Sequence, residues 1–152
     1  MKIGKDGIDL IKSFESCAKK RADGHFDAYM PTKNDVPTIG WGSTKGIKMG
    51  MTLTQQECDD RFADEIAEFS TGVAKLVGTA KTTQNQFDAM VSLAYNIGIG
   101  TKGFAGSSVL KRHLEGNYEA AATRFGLWNK QAGKELKGLT RRRAAEATLY
   151  RG

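Results

Sequence analysis

Glu15 is the residue whose type and position point most directly to chemistry, because it ends an apolar helical segment. Ile8, Ile11 and Glu15 fall at positions i, i+3 and i+7, so we expect the carboxyl to lie on the apolar side of a helix. A half-buried carboxyl holds its proton more firmly than one in open water, which is the property that a general acid requires. A glycine-edged segment, residues 38–44 (TIGWGST), follows closely. Glu15 is therefore our first candidate for a proton donor to a leaving oxygen.

The composition indicates one compact domain that attracts polyanions. The 152 residues are 39% hydrophobic and include two prolines, which suits a single domain with a substantial core. Lys and Arg number 23 against 17 Asp and Glu, so the net charge is +6. This charge favours nucleic acid, anionic membrane surfaces or bacterial cell-wall polymers as partners. Because the sequence has neither an apolar run of membrane-spanning length nor a signal-like start, we expect a cytoplasmic product without stable membrane insertion.

The cysteines and histidines give no reason to expect a metal site or a cofactor. Cys17 and Cys58 form no CxxC motif, and His25 and His113 form no HExxH motif. We interpret the two cysteines as free thiols that pack as small hydrophobic side chains.

Periodic patterns predict a mainly helical chain with one small sheet. Predicted helices run over residues 6–16, 54–76, 84–96, 107–115, 118–130 and 140–150. Asp6 is the expected cap of the first helix, residues 54–57 (TQQE) read as a capping box, and Gly98 ends the central helix. Short strands over residues 25–30 and 36–41, around a turn at residues 31–35, form the expected sheet, with no other sheet predicted.

Several motifs also have simple structural interpretations. Residues 98–103 (GIGTKG) match GxGxxG but follow a helix rather than a strand, so we interpret them as a loop and not as a dinucleotide site. The arginines at 141–143 form a solvated helix face, a contact for wall polymer, or a contact to the Glu15 carboxylate. No nucleic-acid-reading motif accompanies them, and we expect no nucleic-acid partner. The aromatic residues serve the core or stack on sugars; they are Tyr29, Trp41, Tyr95 and Trp128.

Several segments, in the same order, resemble the phage-type lysozymes of the endolysin family. Phe14 and Glu15, followed by a hairpin that ends in residues 35–44 (DVPTIGWGST), resemble the catalytic segment of that family. Residues 86–98 (QFDAMVSLAYNIG) resemble its central buried helix, and residues 103–110 resemble the loop and helix that follow. Residues 128–130 (WNK) and 138–146 (GLTRRRAAE) resemble its carboxy-terminal signature.

The resemblance implies a single α+β domain over residues 1–152 that is predominantly α and has two lobes. A small β-hairpin lobe would cover residues of about 17–53, and a helical bundle lobe would take the remainder. The family hydrolyses the β-1,4 bond between N-acetylmuramic acid and N-acetylglucosamine in peptidoglycan, and it uses a Glu, Asp and Thr triad in that order. Glu15 takes the place of the acid, and Thr38 takes the place of the threonine.

The aspartate of the triad is where this sequence departs from the family pattern. Pro31 and Thr32 occupy the positions at which the commonest family form has its carboxylate, and neither can be one. Asp35, three residues before Thr38, is the nearest replacement, and Asp27 is the weaker alternative. A mechanism without a second essential carboxylate also remains open.

The chemistry of glycoside hydrolysis gives each candidate a role. Glu15 would protonate the leaving oxygen, while Asp35 would polarise a water that the Thr38 hydroxyl holds. The resemblance implies inversion, for which the two carboxyls stand about 6.5–9.5 Å apart. Tyr29, Trp41, Asn96 and Ser107 are the candidate substrate-binding residues.

The sequence therefore predicts an endolysin: a monomeric muramidase that is made in the host cytoplasm and acts on peptidoglycan glycan strands in the wall or periplasm at lysis. The lack of a signal or anchor segment suggests that a separate pore-forming protein releases it. The alternative is a non-catalytic peptidoglycan-binding or virion structural protein that keeps the lysozyme fold. Host species and wall chemotype are left open.

Overall fold

The computed structural model describes residues 1–33 and 35–152, which form two compact units. Unit 1 comprises Met1–Ile11 and Ala67–Gly152, and unit 2 comprises Lys12–Ile66. The described helices are α1 (Lys5–Phe14), α2 (Gln55–Val77), α3 (Gln84–Ile97), α4 (Ser108–Leu114), α5 (Tyr118–Arg124) and α6 (Lys137–Arg151). The described strands are β1 (Phe26–Asp27), β2 (Thr52–Leu53), β3 (Lys130–Gln131) and β4 (Lys134–Glu135). The chain is therefore α+β and predominantly helical, which confirms the predicted fold class.

The two strongest helices lie where the hydrophobic periodicity predicted them. α2 begins within the predicted capping box, directly after Thr54. The Thr54 hydroxyl accepts from the Glu57 amide at 3.1 Å, and the Glu57 carboxylate accepts from the Thr54 amide at 2.9 Å. α3 ends before Gly98, as predicted, and the Gly98 amide donates to the Ala94 carbonyl at 2.8 Å. Within the described ranges, no helix is both long enough and apolar enough to cross a lipid bilayer.

The prediction for the first sheet is wrong about the partner strand. β1 pairs antiparallel with β2, with Phe26 opposite Leu53, and both side chains are buried in the same apolar cluster. The segment predicted as the partner, residues 36–41, meets the first strand at an isolated bridge between Tyr29 and Thr38. Burial of Leu53 against Phe26 outweighs the proximity in sequence that suggested a simple hairpin. Asn34, in the predicted turn at residues 31–35, lies outside the described residues.

The chain also contains a second sheet that the sequence analysis did not predict. β3 and β4 form an antiparallel pair around Ala132 and Gly133, which both adopt positive φ, of 52° and 80°. Two consecutive residues with positive φ make the turn whose twist matches a two-residue β-hairpin. Alanine rarely adopts this conformation, so residues 132–133 carry no clear sequence signal for a hairpin turn, and the predicted helix over residues 118–130 is wrong in its last part. α5 instead ends at Arg124, and α6 begins at Lys137, three residues before the predicted start at Thr140.

The amino terminus of α1 is capped from α3 and not by Asp6 as predicted. Asp6 lies within the first turn of α1, whereas the Asp88 carboxylate accepts from the amides of Gly4 at 2.9 Å and Gly7 at 3.2 Å. This close approach requires glycine at position 7, because a Cβ there would lie 2.8 Å from the Asp88 Cβ. A negative side chain at a helix amino terminus stabilises the helix through its unpaired amides and its dipole.

A buried ionic cluster joins α3 and α6 in unit 1. Glu146 is 0% exposed, and its carboxylate lies 2.7 Å from Arg143 Nε and 3.2 Å from Arg142 Nε. The Ser92 hydroxyl of α3 donates to the same carboxylate, and the Arg142 guanidinium donates to the Ser92 carbonyl at 3.2 Å. Burial raises the pKa of the Glu146 carboxyl, and the Arg143 and Arg142 guanidiniums oppose that rise. Because both arginines carry permanent charge, we assign the ionised carboxylate to this cluster.

The core of unit 2 forms around the first sheet and the start of α2. Its buried residues are Phe26, Ala28, Ile39, Ile47, Leu53 and Cys58, and Cys17 packs against them. Cys17 and Cys58 are free thiols that hydrogen-bond to each other. Burial raises the pKa of the Cys17 thiol and raises that of Cys58 to about 11.

The glycine-edged segment folds into a tight turn against α2. Ile39 and Ser43 exchange backbone hydrogen bonds of 2.9 Å and 3.0 Å, and Gly40 between them has a φ of 62°. A Cβ on Gly40 would lie 2.9 Å from both the Cβ and the sulfur of Cys58. Position 40 therefore needs glycine for two reasons. Its backbone is in the left-handed region, and a side chain there would clash with Cys58 of α2.

We predict that Gly40→Ala destabilises the protein more than Gly46→Ala does. Gly46 also has a positive φ, of 72°, but a Cβ there would meet nothing within 4 Å. Both variants carry the backbone strain of roughly 1–2 kcal/mol, whereas Gly40→Ala adds a steric clash worth about 1–3 kcal/mol. Urea unfolding of the two variants measures the difference, and equal losses would contradict the proposed contact between Gly40 and Cys58.

We also predict that Glu146→Gln lowers the free energy of unfolding by about 3–5 kcal/mol, because it leaves two buried guanidiniums without a counter-charge. The matched control is Glu119→Gln, which breaks the 2.9 Å ion pair between Glu119 and Arg151 at the surface of the same unit. Solvent screens that exposed pair, so its loss should change stability little. Denaturant unfolding measures both variants, and a Glu146→Gln protein as stable as the control would show that the cluster does not need a charge.

Candidate active site

The Tyr29–Thr38 bridge organises the candidate site, which lies within unit 2. The amide of each residue donates to the carbonyl of the other, at 2.9 Å and 2.8 Å. Residues that pair directly across antiparallel backbones place their side chains on the same face. Phe26 and Ala28 are buried while Asp27 and Tyr29 are partly exposed, so this face is the one directed away from the core of unit 2.

The Thr38 hydroxyl is oriented by a hydrogen bond to a backbone carbonyl two residues earlier. Thr38 Oγ1 donates to the Val36 carbonyl at 3.0 Å, and the residue is 6% exposed. A hydroxyl that has committed its proton still has oxygen lone pairs, so Thr38 can accept a hydrogen bond from a bound water. The arrangement therefore favours a water that donates to Thr38 and keeps its own lone pairs available.

Glu15 and Asp35 both influence the pKa of the Tyr29 phenol. Glu15 follows the last residue of α1 directly and is partly buried, as the helical stripe predicted. Burial raises the pKa of the Tyr29 hydroxyl, and electrostatic interactions with the acidic groups of Glu15, Cys17 and Asp35 raise it further. The Glu15 and Asp35 carboxylates thus both shift the pKa of the same hydroxyl, that of Tyr29.

Asp35 sits on a backbone that bends toward Thr38. Its amide donates to the Thr32 carbonyl at 3.2 Å, and its own carboxylate accepts from the Val36 amide at 2.9 Å. In an extended strand, residues three apart would face opposite sides, which would separate Asp35 from Thr38. Residues 35–37 lie in none of the described strands, and the Thr38 hydroxyl turns back to the Val36 carbonyl, so strict alternation does not apply here.

Asp27, the alternative carboxylate, is engaged elsewhere. It lies in β1, its side chain is 49% exposed, and its Oδ1 is 3.6 Å from a guanidinium nitrogen of Arg21. Because Asp27 alternates with buried Phe26 and Ala28, it shares a face with Tyr29. Its carboxylate is nevertheless paired with the Arg21 guanidinium.

The two aromatic candidates in unit 2 both lie near lysines that the sequence analysis did not single out. Trp41 donates from its indole nitrogen to Asp59 at 2.8 Å, and Lys12 Nζ lies 5.1 Å from the ring centroid. Lys19 Nζ lies 5.9 Å from the centroid of the Tyr29 ring. The sequence held no signal for these cation–π pairs, because their partners are distant along the chain.

The two candidate substrate-binding residues in unit 1, Asn96 and Ser107, differ in their exposure. Asn96 is exposed near the end of α3. Ser107 is 4% exposed, donates to the Phe104 carbonyl at 2.7 Å and caps α4 by accepting from the Leu110 amide. Both hydrogen-bonding functions of Ser107 are thus used within the fold.

The three consecutive arginines do not form one surface. Arg141 is exposed, whereas Arg142 is 3% exposed and Arg143 is 1% exposed in the Glu146 cluster. The interpretation of residues 141–143 as a common solvated or polymer-binding face is therefore wrong for Arg142 and Arg143. Across residues 1–33 and 35–152, no group of three His, Cys, Asp or Glu side chains is placed to hold a metal ion.

Comparison with known proteins gives a consistent result over nearly the whole chain. The family model described as phage lysozyme matches residues 12–146. The endolysin of Bacillus phage PZA is 39% identical over 151 residues, which cover 99% of this chain and 55% of that protein. The chain therefore spans about half the length of that curated relative.

Solved structures match at similar identity. An endolysin from the Escherichia coli O157:H7 phage FAHEc1 superposes with a TM-score of 0.80 at 35% identity, over 99% of this chain and 93% of that chain. The muramidase domain of SpmX from Asticaccaulis excentricus superposes with a TM-score of 0.81 at 34% identity, over 98% and 97% of the two chains. A family model that matches most of the sequence, together with these relatives, establishes that the chain belongs to the phage lysozyme family.

Proposed function

We propose that this chain is a muramidase that hydrolyses the β-1,4 bond between N-acetylmuramic acid and N-acetylglucosamine in peptidoglycan, and that it acts in lysis of the bacterial host. One observation carries the proposal: the backbone pairing of Tyr29 with Thr38 holds the Thr38 hydroxyl, oriented by the Val36 carbonyl, in the unit that also contains Glu15 and Asp35. Two carboxyls and a water-binding hydroxyl are what an inverting glycosidase requires. Membership of the phage lysozyme family and the likeness to a muramidase domain support the same reaction.

In the proposed mechanism, Glu15 is the general acid. It follows α1 directly, is partly buried, and gives a proton to the glycosidic oxygen as the bond breaks. Positive charge develops on the sugar ring, and a water attacks from the opposite face.

Asp35 and Thr38 position that water. Thr38 Oγ1 donates to the Val36 carbonyl, so the water donates one hydrogen to Thr38 and the other to Asp35. The water oxygen then keeps a lone pair directed at the anomeric carbon, and Asp35 takes the proton as the new bond forms. Tyr29, Trp41 and Asn96 are the proposed contacts to the glycan, whereas we assign Ser107 to capping of α4.

The proposed setting follows from the substrate. The enzyme would act as a monomer on glycan strands of the wall, without a metal or a cofactor. After synthesis in the host cytoplasm it would reach the wall or periplasm with the help of a separate pore-forming protein.

We predict that Glu15→Gln abolishes hydrolysis of purified peptidoglycan while the protein stays folded, because the amide is nearly isosteric but has no acidic proton. The loss should be on the order of 10²–10⁴ in rate. The matched control is Glu68→Gln, which removes an exposed carboxyl of α2 and should retain full activity. Analysis of the released ends should find reducing muramic acid. Reducing glucosamine ends would contradict the bond assignment, and no release by the parent protein would favour the non-catalytic wall-binding alternative.

For the second carboxylate, we predict that Asp35→Asn loses most activity and that Asp27→Asn retains it. The two substitutions remove the same charge from the same unit, and a thermal melt of each variant checks folding. The reverse pattern of activity would assign the role to Asp27. Full activity of both variants would mean that Glu15 and a water held by Thr38 suffice.

A further inference from the structure

Lys12, in the last turn of α1, lies against two aromatic rings of unit 2. Its Nζ is 5.1 Å from the centroid of the Trp41 ring and 5.4 Å from the centroid of the Phe62 ring. Both distances are within the reach of a cation–π interaction, which is about 6 Å from a ring centroid. Lys12 is partly buried, and partial removal from water strengthens such an interaction. The last turn of α1 is thus attached to both rings through one cation.

The two rings form a fixed surface on α2. Phe62 belongs to α2 and is buried. Trp41 donates from its indole nitrogen to Asp59 Oδ1 at 2.8 Å, and the Gln55 side chain donates to the same oxygen at 2.9 Å. The centroids of the Trp41 and Phe62 rings are 6.1 Å apart, which is the spacing of an interacting aromatic pair. Because Asp59 and Phe62 are three residues apart on one helix, Trp41 packs on a single face of α2.

The attachment of Lys12 matters for Glu15, which directly follows the last residue of α1. Lys12 and Glu15 are three residues apart, about one helical turn, so their side chains leave the end of α1 at neighbouring positions of one face. Residues 16–19 belong to neither a helix nor a strand, and the bridge between Lys20 and Phe26 comes only after them. The last turn of α1 is therefore the nearest regular structure that can fix the direction of Glu15. A displacement of about 1 Å in a reacting group can lower a rate roughly 10²-fold.

We propose that Lys12 is a positioning residue for the hydrolysis: its contacts with the Trp41 and Phe62 rings hold the end of α1 against α2, and thereby hold Glu15 at the glycosidic oxygen. The inference rests on the proposed function, in which Glu15 is the general acid. Lys12 acts through Glu15 and does not need to touch the substrate. A positive charge in the last turn of a helix also stabilises the helix through its dipole. The experiment therefore has to separate the ring contacts from that effect.

Kinetics on soluble, uncrosslinked glycan strands of peptidoglycan test the positioning role. K12M keeps an aliphatic side chain but removes the cation, and we expect kcat to fall by roughly 3- to 30-fold with KM unchanged, the range that the loss of cation–π contacts allows. K12R should retain most of kcat, because a guanidinium also stacks on aromatic rings. The matched control is K5M, which removes an exposed cation from the same helix and should behave as the parent does. A thermal melt confirms that each variant is folded.

Two further measurements test whether Lys12 acts through the rings. In a double-mutant cycle on kcat, W41L should cause little further loss once K12M is present, whereas an effect on the helix dipole alone would give additive losses. By NMR, the Lys12 methylene protons nearest Nζ should resonate upfield of their usual position, because protons over the face of an aromatic ring are shielded. W41L should remove most of that shift, and the corresponding protons of Lys5 should not show it.

The inference would be overturned by a parent-like kcat in K12M, by an equal loss in K5M, by additive losses in the cycle, or by unshifted Lys12 protons in the parent protein. A KM that rises in K12M while kcat stays unchanged would also overturn it, because Lys12 would then serve only the glycan contact of Trp41. If the parent protein cleaves no glycan strand, the proposed function fails, whereas the NMR measurement still decides whether the ring contacts exist.

Discussion

The mutual hydrogen bonds between Tyr29 and Thr38 are the constraint on which the candidate site depends. They close the loop of residues 30–37 onto the first strand without any extended sheet, so Thr38 is held by backbone atoms rather than by its side chain. That leaves the Thr38 hydroxyl available for orientation by Val36. Asp35 lies three residues before Thr38 and belongs to the segment that this closure anchors. The position of Thr38 in the candidate site thus depends on its two backbone hydrogen bonds with Tyr29.

Much of the fold was predictable from the sequence because it follows from local patterns. The capping box at Thr54, the glycine after α3 and the apolar spacing along α2 each act over one or two helical turns, and each prediction was confirmed. The position of Glu15 at the end of α1 follows from the same periodicity. What such patterns do not contain is the partner of a group whose contacts are remote in sequence. Asp88 caps α1 from 81 residues beyond Gly7, and no feature of residues 1–7 indicates it.

The arginines at 141–143 also show that a local sequence pattern does not reveal which individual side chains have remote partners. Three adjacent cations suggest one surface, but successive residues on a helix point in directions about 100° apart. Arg141 therefore stays exposed, while Arg142 and Arg143 turn inward to Glu146. Their burial depends on a carboxylate one helical turn away and on Ser92 in another helix. The candidate site has a comparable mixture: motif resemblance pointed to Glu15 and Thr38, whereas no pattern in the sequence indicates the hydrogen bonds of Asp35 with Thr32 and Val36.

The paired thiols of unit 2 have a consequence for how the protein meets its chemical surroundings. Thiolate is the form that attacks alkylating reagents and peroxide, and burial disfavours it at both Cys17 and Cys58. With the pKa of Cys58 raised to about 11, almost none of that residue is ionised near neutrality. Cys58 is also 1% exposed, so alkylating reagents and peroxide should react with it far more slowly than with a thiol on the protein surface.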